Sequence, residues 1–146
     1  MAEKKKSDIS IYTIIMSLSI IGIGLGLYLF YEYLAPPHIS LCYINAYINC
    51  EASTKGPLAN TLGIPTALWG ITGYTVILIS AAKRLKKLIL GTVVFGLLFC
   101  LRITILELFV IKAICPVCLA CQTDMLILFI LAIIAYKKPL PKILNK

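Results

Sequence analysis

Cys115-Pro116-Val117-Cys118 places two thiols two residues apart between two long apolar runs. A Cys-x-x-Cys pair at the start of a helix can close a disulfide. The positive helix end and the partner sulfur can also lower a thiol pKa and make it a nucleophile. Pro116 suits the first helical turn, where its missing N–H costs little. The pattern is that of a dithiol that exchanges electrons, although a structural disulfide or two inert buried thiols would use the same residues. Cys42 and Cys50 form a second pair, with Tyr43, Ile44, Tyr47 and Ile48 between them. On one straight helix these two would stand about 12 Å apart, whereas a disulfide needs Cα atoms about 4.4–6.8 Å apart. If they pair, the segment folds back or changes shape between redox states. Cys115, Cys118 and Cys121 also read as the start of an iron–sulfur run, but the continuation Gln122-Thr123-Asp124-Met125 lacks the fourth ligand. Cys121 and the mid-run Cys100 read as small buried apolar residues. His38, four residues before Cys42, reads as a surface residue.

Membrane-length elements must position these thiols. The 146-residue chain is 60% hydrophobic, with a mean hydropathy of +0.97, against about 45–50% apolar residues in a soluble domain. The excess comes in blocks at about 9–34, 62–82, 88–114 and 117–136, long enough to span a bilayer. The first block is too long for the apolar region of a cleavable signal peptide. Gly22, Gly24 and Gly26 lie in it and invite close approach of a neighbouring helix. Tyr28, Tyr31 and Tyr33 mark its far end as an aromatic belt would, and Pro36-Pro37 ends it. Residues 35–61 form the one sizeable loop, too apolar to be fully solvated. Pro65 and Trp69 suit the mouth of the second span.

The net charge of +8 does not point to nucleic acid, because the basic residues cluster at the ends of apolar runs and not among aromatics along a groove. The amino terminus, the 83–87 turn and the tail carry eleven of the fourteen Lys and Arg. Four spans put these segments on one side, and the positive-inside rule makes that side cytoplasmic. Both cysteine pairs then share the opposite, oxidising face. Arg102, Glu107 and Asp124 lie at or near membrane depth, where ionisable groups face the bundle interior or a pocket. Thr66, at the mouth of the second span, can hydrogen-bond a ligand carbonyl or back-bond to its own helix.

In this order the residues resemble the vitamin K epoxide reductase family over nearly the whole chain. The resemblance rests on a first span, a C-x7-C loop (Cys42, Cys50), Gly63-Ile64-Pro65 with Leu68-Trp69-Gly70, and Ala113-Ile114-Cys115-Pro116-Val117-Cys118-Leu119. The chain is also similar in plan to the quinone-linked membrane oxidases that recharge DsbA. The resemblance implies an all-α membrane protein, a four-transmembrane-helix bundle forming one domain over 1–146. An extracytoplasmic cysteine loop between spans 1 and 2 would cap a quinone (menaquinone, ubiquinone or similar). It implies that Cys118 faces the quinone, that Cys115 exchanges with Cys50, and that Cys42 meets the thiols of a separate thioredoxin-like or DsbA-like partner. Thr66 falls where the animal enzymes place an Asn on the quinone carbonyl, and Gln122 where they place a Tyr. Thr66, Trp69 and Gln122 are thus the candidate cofactor contacts, with no metal. Relatives also carry a Ser shortly after the second loop cysteine, where this chain has Ser53, Thr54, Lys55 and Gly56. The expected activity is quinone-dependent thiol oxidation in the cell membrane, with both termini cytoplasmic. An epoxide or quinone reductase using the same cysteines, and a non-enzymatic metal or iron–sulfur protein, remain as alternatives.

Overall fold

The structure, a computed structural model, describes residues 2–36, 48, 50–55 and 59–137. Its elements are helix α1 (Ala2–Leu34), short helix α2 (Cys50–Lys55), strands β1 (Asn60–Thr61) and β2 (Ile64–Pro65), and helices α3 (Thr66–Ala82), α4 (Lys86–Leu106) and α5 (Pro116–Lys137). A π-helical turn, Glu107–Ile111, continues α4. Among the described residues, three stretches are long and apolar enough to cross a membrane: Ser10–Leu34, Lys86–Ile111 and Pro116–Lys137. The chain is therefore a helical membrane protein.

The stretch expected as a second span, 62–82, becomes a shorter helix. α3 has 17 residues, roughly 25 Å at 1.5 Å per residue, against a hydrocarbon core of about 30 Å. Its first residues are taken by a hairpin. Leu62 and Gly63 adopt φ of 57° and 80°, and Thr61 pairs with Ile64 across them, as in a two-residue turn with both central φ positive. The stretch expected at 88–114 runs helically from Lys86 only to Ile111. Lys112, at φ 55°, turns the chain out of the helix.

α1 packs mainly on α3 and α4 mainly on α5, with α3–α4 and α1–α5 contacts closing the bundle. Of the three α1 glycines expected to admit a neighbour, two do. A Cβ on Gly22 would run into the Tyr74 ring, and one on Gly26 would come within 2.8 Å of Ile71 Cγ1. Gly24 faces open space. The tight core holds Ile15, Ile77, Ile89, Val93 and Leu128, in the half of the bundle that carries the 83–87 turn. That turn is closed by hydrogen bonds from Arg84 N to Ala81 O and from Leu85 N to Ser80 O. Arg84 sits at positive φ, so this is a Schellman motif with arginine in the left-handed position. The Arg84 guanidinium lies 5.6 Å from the Tyr12 ring centroid, tying α1 to the turn. Large apolar side chains such as Ile20, Phe95, Leu98 and Ile130 stay outward, as a lipid-facing surface requires.

Candidate redox site

Cys115 precedes α5 and caps it. Its carbonyl accepts the Leu119 N–H at 3.1 Å, and its sulfur accepts the Cys118 N–H at 3.3 Å. Ser, Asp or Asn at this position offers an oxygen to the same backbone donor; here a sulfur takes that place, with Pro116 at the first helical position. The arrangement tunes the thiol. A hydrogen bond from the Cys118 side chain, helped by the backbone N–H groups of Cys118 and Val117, holds the Cys115 thiol below its ordinary pKa. Burial pushes the other way and is outweighed.

Cys50 opens α2, is disulfide-bonded and is fully buried. Its Sγ lies 3.2 Å from Cys115 Sγ. Leu29, Val117 and Cys118 pack around the two sulfurs, and a parallel β-bridge between Ile48 and Ile114 fixes the two segments beside each other. A thiolate at Cys115 is therefore already against a disulfide sulfur, the approach that thiol–disulfide exchange requires. Within α2, the Thr54 hydroxyl donates to the Cys50 carbonyl at 3.0 Å. Cys42 lies outside the described residues.

Cys118, one turn into α5, is half-buried and opens on a cavity of about 470 Å³. Thr66, Trp69, Gly73, Gly91, Phe99 and Cys121 are among its walls. Along α4 the lining runs from Lys87 to Thr104, roughly 26 Å of helix. The hydroxyl of Thr66, the first residue of α3, pairs with that of Thr61 at 3.1 Å. Trp69 Nε1 donates to the Thr61 carbonyl at 3.3 Å, and the Trp69 ring lies 6.5 Å from that of Phe99. The hairpin thus orients both candidate contacts at the Cys118 end of the cavity. Gln122 is not among the lining residues of this cavity: it follows Cys121 and so points about 100° further around the helix. Its Oε1 is buried with no hydrogen-bond partner among the described residues.

Cys100 and Cys121 are half-buried and line the same cavity, deeper in the bundle. A metal or iron–sulfur reading needs Cys121 beside Cys115 and Cys118. The third group there is instead Glu107, whose carboxylate oxygen and the two sulfurs all lie within 4.8 Å of one another. From the sequence alone, Glu107 is an acid at membrane depth with no indication of this neighbourhood. Glu107 and Asp124 do face the interior, at 2% and 7% exposure, whereas Arg102 is exposed.

No curated protein matches the chain. The model of the Vitamin K epoxide reductase family matches residues 13–133, a stretch that takes in the site and every helix that frames it. By that match the chain belongs to the vitamin K epoxide reductase family, and is a membrane oxidoreductase of a family that acts with quinones or vitamin K.

Proposed function

We propose that the protein oxidises the dithiol of a separate thioredoxin-like partner and passes the electrons to a membrane quinone. The observation that carries this reading is the 3.2 Å contact between Cys50 and Cys115, with Cys118 of the same Cys-x-x-Cys opening on the large cavity.

The cavity fits a quinone. Its volume lies in the usual range for ligand sites, about 300–1,000 Å³. A Cβ added at Gly70, Gly73 or Gly91 would meet nothing within 4 Å, so the glycines leave room there. Thr66 and Trp69 would border the head group, and the stripe of α4 from Phe99 to Leu88 would line the tail. A bound quinone supplies an acceptor for two electrons and two protons.

The partner's thiolate attacks Cys42 in a Cys42–Cys50 disulfide, and its second thiol completes the partner disulfide, leaving both loop cysteines reduced. Cys50 then attacks Cys115 in a Cys115–Cys118 disulfide. A Cys50–Cys115 bond forms, and Cys118 leaves carrying the electron pair at the cavity wall. Cys42 resolves the mixed disulfide, restoring Cys42–Cys50 and leaving Cys115 and Cys118 reduced. The low Cys115 pKa makes that sulfur a good leaving group in this last exchange. The chain lies in the cell membrane with its basic ends cytoplasmic and these cysteines on the other face.

The test is quinone reduction by the purified protein supplied with a dithiol, followed by absorbance. We expect turnover with a small dithiol to survive Cys42→Ala, while oxidation of a thioredoxin-like protein is lost. Equal loss of both would remove Cys42 as the partner-facing residue. No turnover by the parent with any quinone would overturn the reading.

A further inference from the structure

The relay leaves Glu107 without a task. It is 2% exposed at the start of the π-helical turn, and its carboxylate oxygen lies within 4.8 Å of the Cys118 sulfur. π-Helical turns are frequent at functional sites.

A second observation concerns the space beside it. A separate cavity of about 40 Å³ is walled by Glu107, Cys118 and the hydroxyl-bearing Tyr33, Thr54 and Thr66. Cys118 and Thr66 therefore stand between the small cavity and the large one. A water needs only about 10–15 Å³ of such space and two to four polar partners. The small cavity meets both conditions. Tyr33 also reaches the rim, where its hydroxyl donates to Asn60 Oδ1 at 3.4 Å in an exposed position.

We infer that Glu107 exchanges a proton with Cys118, with the small cavity as its route to outside water. This rests on the reading of Cys118 as the cavity-facing thiol of the relay. When Cys50 attacks Cys115, the Cys50–Cys115 bond forms, the Cys115–Cys118 bond breaks, and the electron pair stays on Cys118 Sγ. The Glu107 carboxyl gives its proton to that sulfur: an O–H bond breaks, an S–H bond forms, and no atom changes oxidation state. In the opposite direction the Cys118 thiol returns the proton to the carboxylate before the sulfur becomes nucleophilic. The site then never holds a thiolate and a carboxylate side by side. Among the described residues, Cys115 and Cys50, Tyr33 on the wall of the small cavity and Tyr28, which interacts with Cys115, are further titratable groups at this corner, from the α5 cap, α2 and α1.

Redox-difference infrared spectroscopy of the full-length protein, oxidised against dithiol-reduced, tests this directly. We expect a carboxyl C=O band that changes with the state of the Cys115–Cys118 pair, disappears in Glu107→Gln and persists in Asp124→Asn. Turnover should fall about 100-fold in Glu107→Gln, in the range that general acid–base groups supply, and recover in part in Glu107→Asp. Quenching of Trp69 fluorescence by quinone, the chain having one Trp, should stay as in the parent. A band that survives Glu107→Gln, or an unchanged turnover in that variant, would overturn the proposal. If Glu107→Gln does not fold, Glu107→Asp carries the test: a shifted band supports the assignment and an unshifted one sinks it. A parent that reduces no quinone would refute the relay, while the infrared band would still decide the role of Glu107.

Discussion

Two pairs of cysteines, Cys115 with Cys118 and Cys100 with Cys121, meet at the large cavity through Cys118 and Cys121 and have little else in common. Cys118 and Cys121 are one turn apart on α5, and both line the large cavity. Cys118 has Cys115 beside it at a helix start, a backbone N–H aimed at the Cys115 sulfur and a second sulfur, that of Cys50, at 3.2 Å from Cys115. Cys121 has Cys100 as its counterpart across the cavity, and both sit in helix interiors where every nearby N–H already serves an i−4 carbonyl. The free N–H groups of a helix end give one pair an electrostatic partner that the other cannot have. Thiol reactivity here follows position along the helix more than residue type or burial.

The largest effect that would sharpen this contrast is at Cys118. Cys118→Ala should lower quinone reduction by on the order of 10³-fold or more, as loss of a covalent participant does, whereas Cys121→Ala and Cys100→Ala should stay within about twofold. Comparable losses at Cys121 would erase the distinction. Next comes the cavity itself. Gly73→Leu or Gly91→Leu adds a side chain where nothing stands within 4 Å of the added Cβ. Turnover should fall about tenfold or more, equivalent to about 1.4 kcal/mol of lost quinone binding, with the melting temperature unchanged. A fall in melting temperature instead would mean that the cavity closes in solution. A smaller effect separates the two sulfurs of the reactive pair. The Cys115 pKa is held down first of all by the Cys118 side chain, so Cys118→Ala should move it upward. The thiolate, present at lower pH in the parent, should then appear only at higher pH, read as the pH profile of Cys115 alkylation by mass spectrometry. The smallest effect on chemistry is at the α1–α3 contact. Gly22→Ala should destabilise the bundle by about 1–3 kcal/mol through overpacking on Tyr74, with Gly24→Ala near neutral and the turnover of the folded protein unaltered in both.

What could be read from the sequence is what local spacing controls. The Cys-x-x-Cys, Pro116 and the apolar runs on either side announce a capped helix with a dithiol at its mouth, because a cap is a matter of four or five consecutive residues. The long helices follow equally from apolar length. Glu107 could not be placed beside Cys118 in this way, because the π-helical turn shifts the phase of the chain after Leu106 and periodicity assumes an unbroken α-helix. Gln122 holds the position the family resemblance assigns to a quinone contact, yet it is not among the residues lining the large cavity, because its place on α5 depends on the rotation of that helix. The hairpin at Asn60–Pro65 was hidden in an apolar stretch. Leu62 carries a left-handed backbone at 87% exposure, a conformation that sequence rules assign to Gly or Asn. The role of Gly73 and Gly91 was equally hidden, since a glycine that admits a helix and one that leaves a hollow look the same in a sequence.

The parallel bridge between Ile48 and Ile114 bears on how the site opens. Among the described residues it is a single rung joining two segments far apart in the chain, two residues before Cys50 and one before Cys115. Parting the two sulfurs requires that rung to break, while the helix ladders and the Ile77–Leu128 core stay intact. Opening thus belongs to the low end of local unfolding free energies, and global unfolding to the high end. The amides of this rung are expected to exchange with solvent far sooner than those in the middle of α3 or α5, while the bundle stays folded.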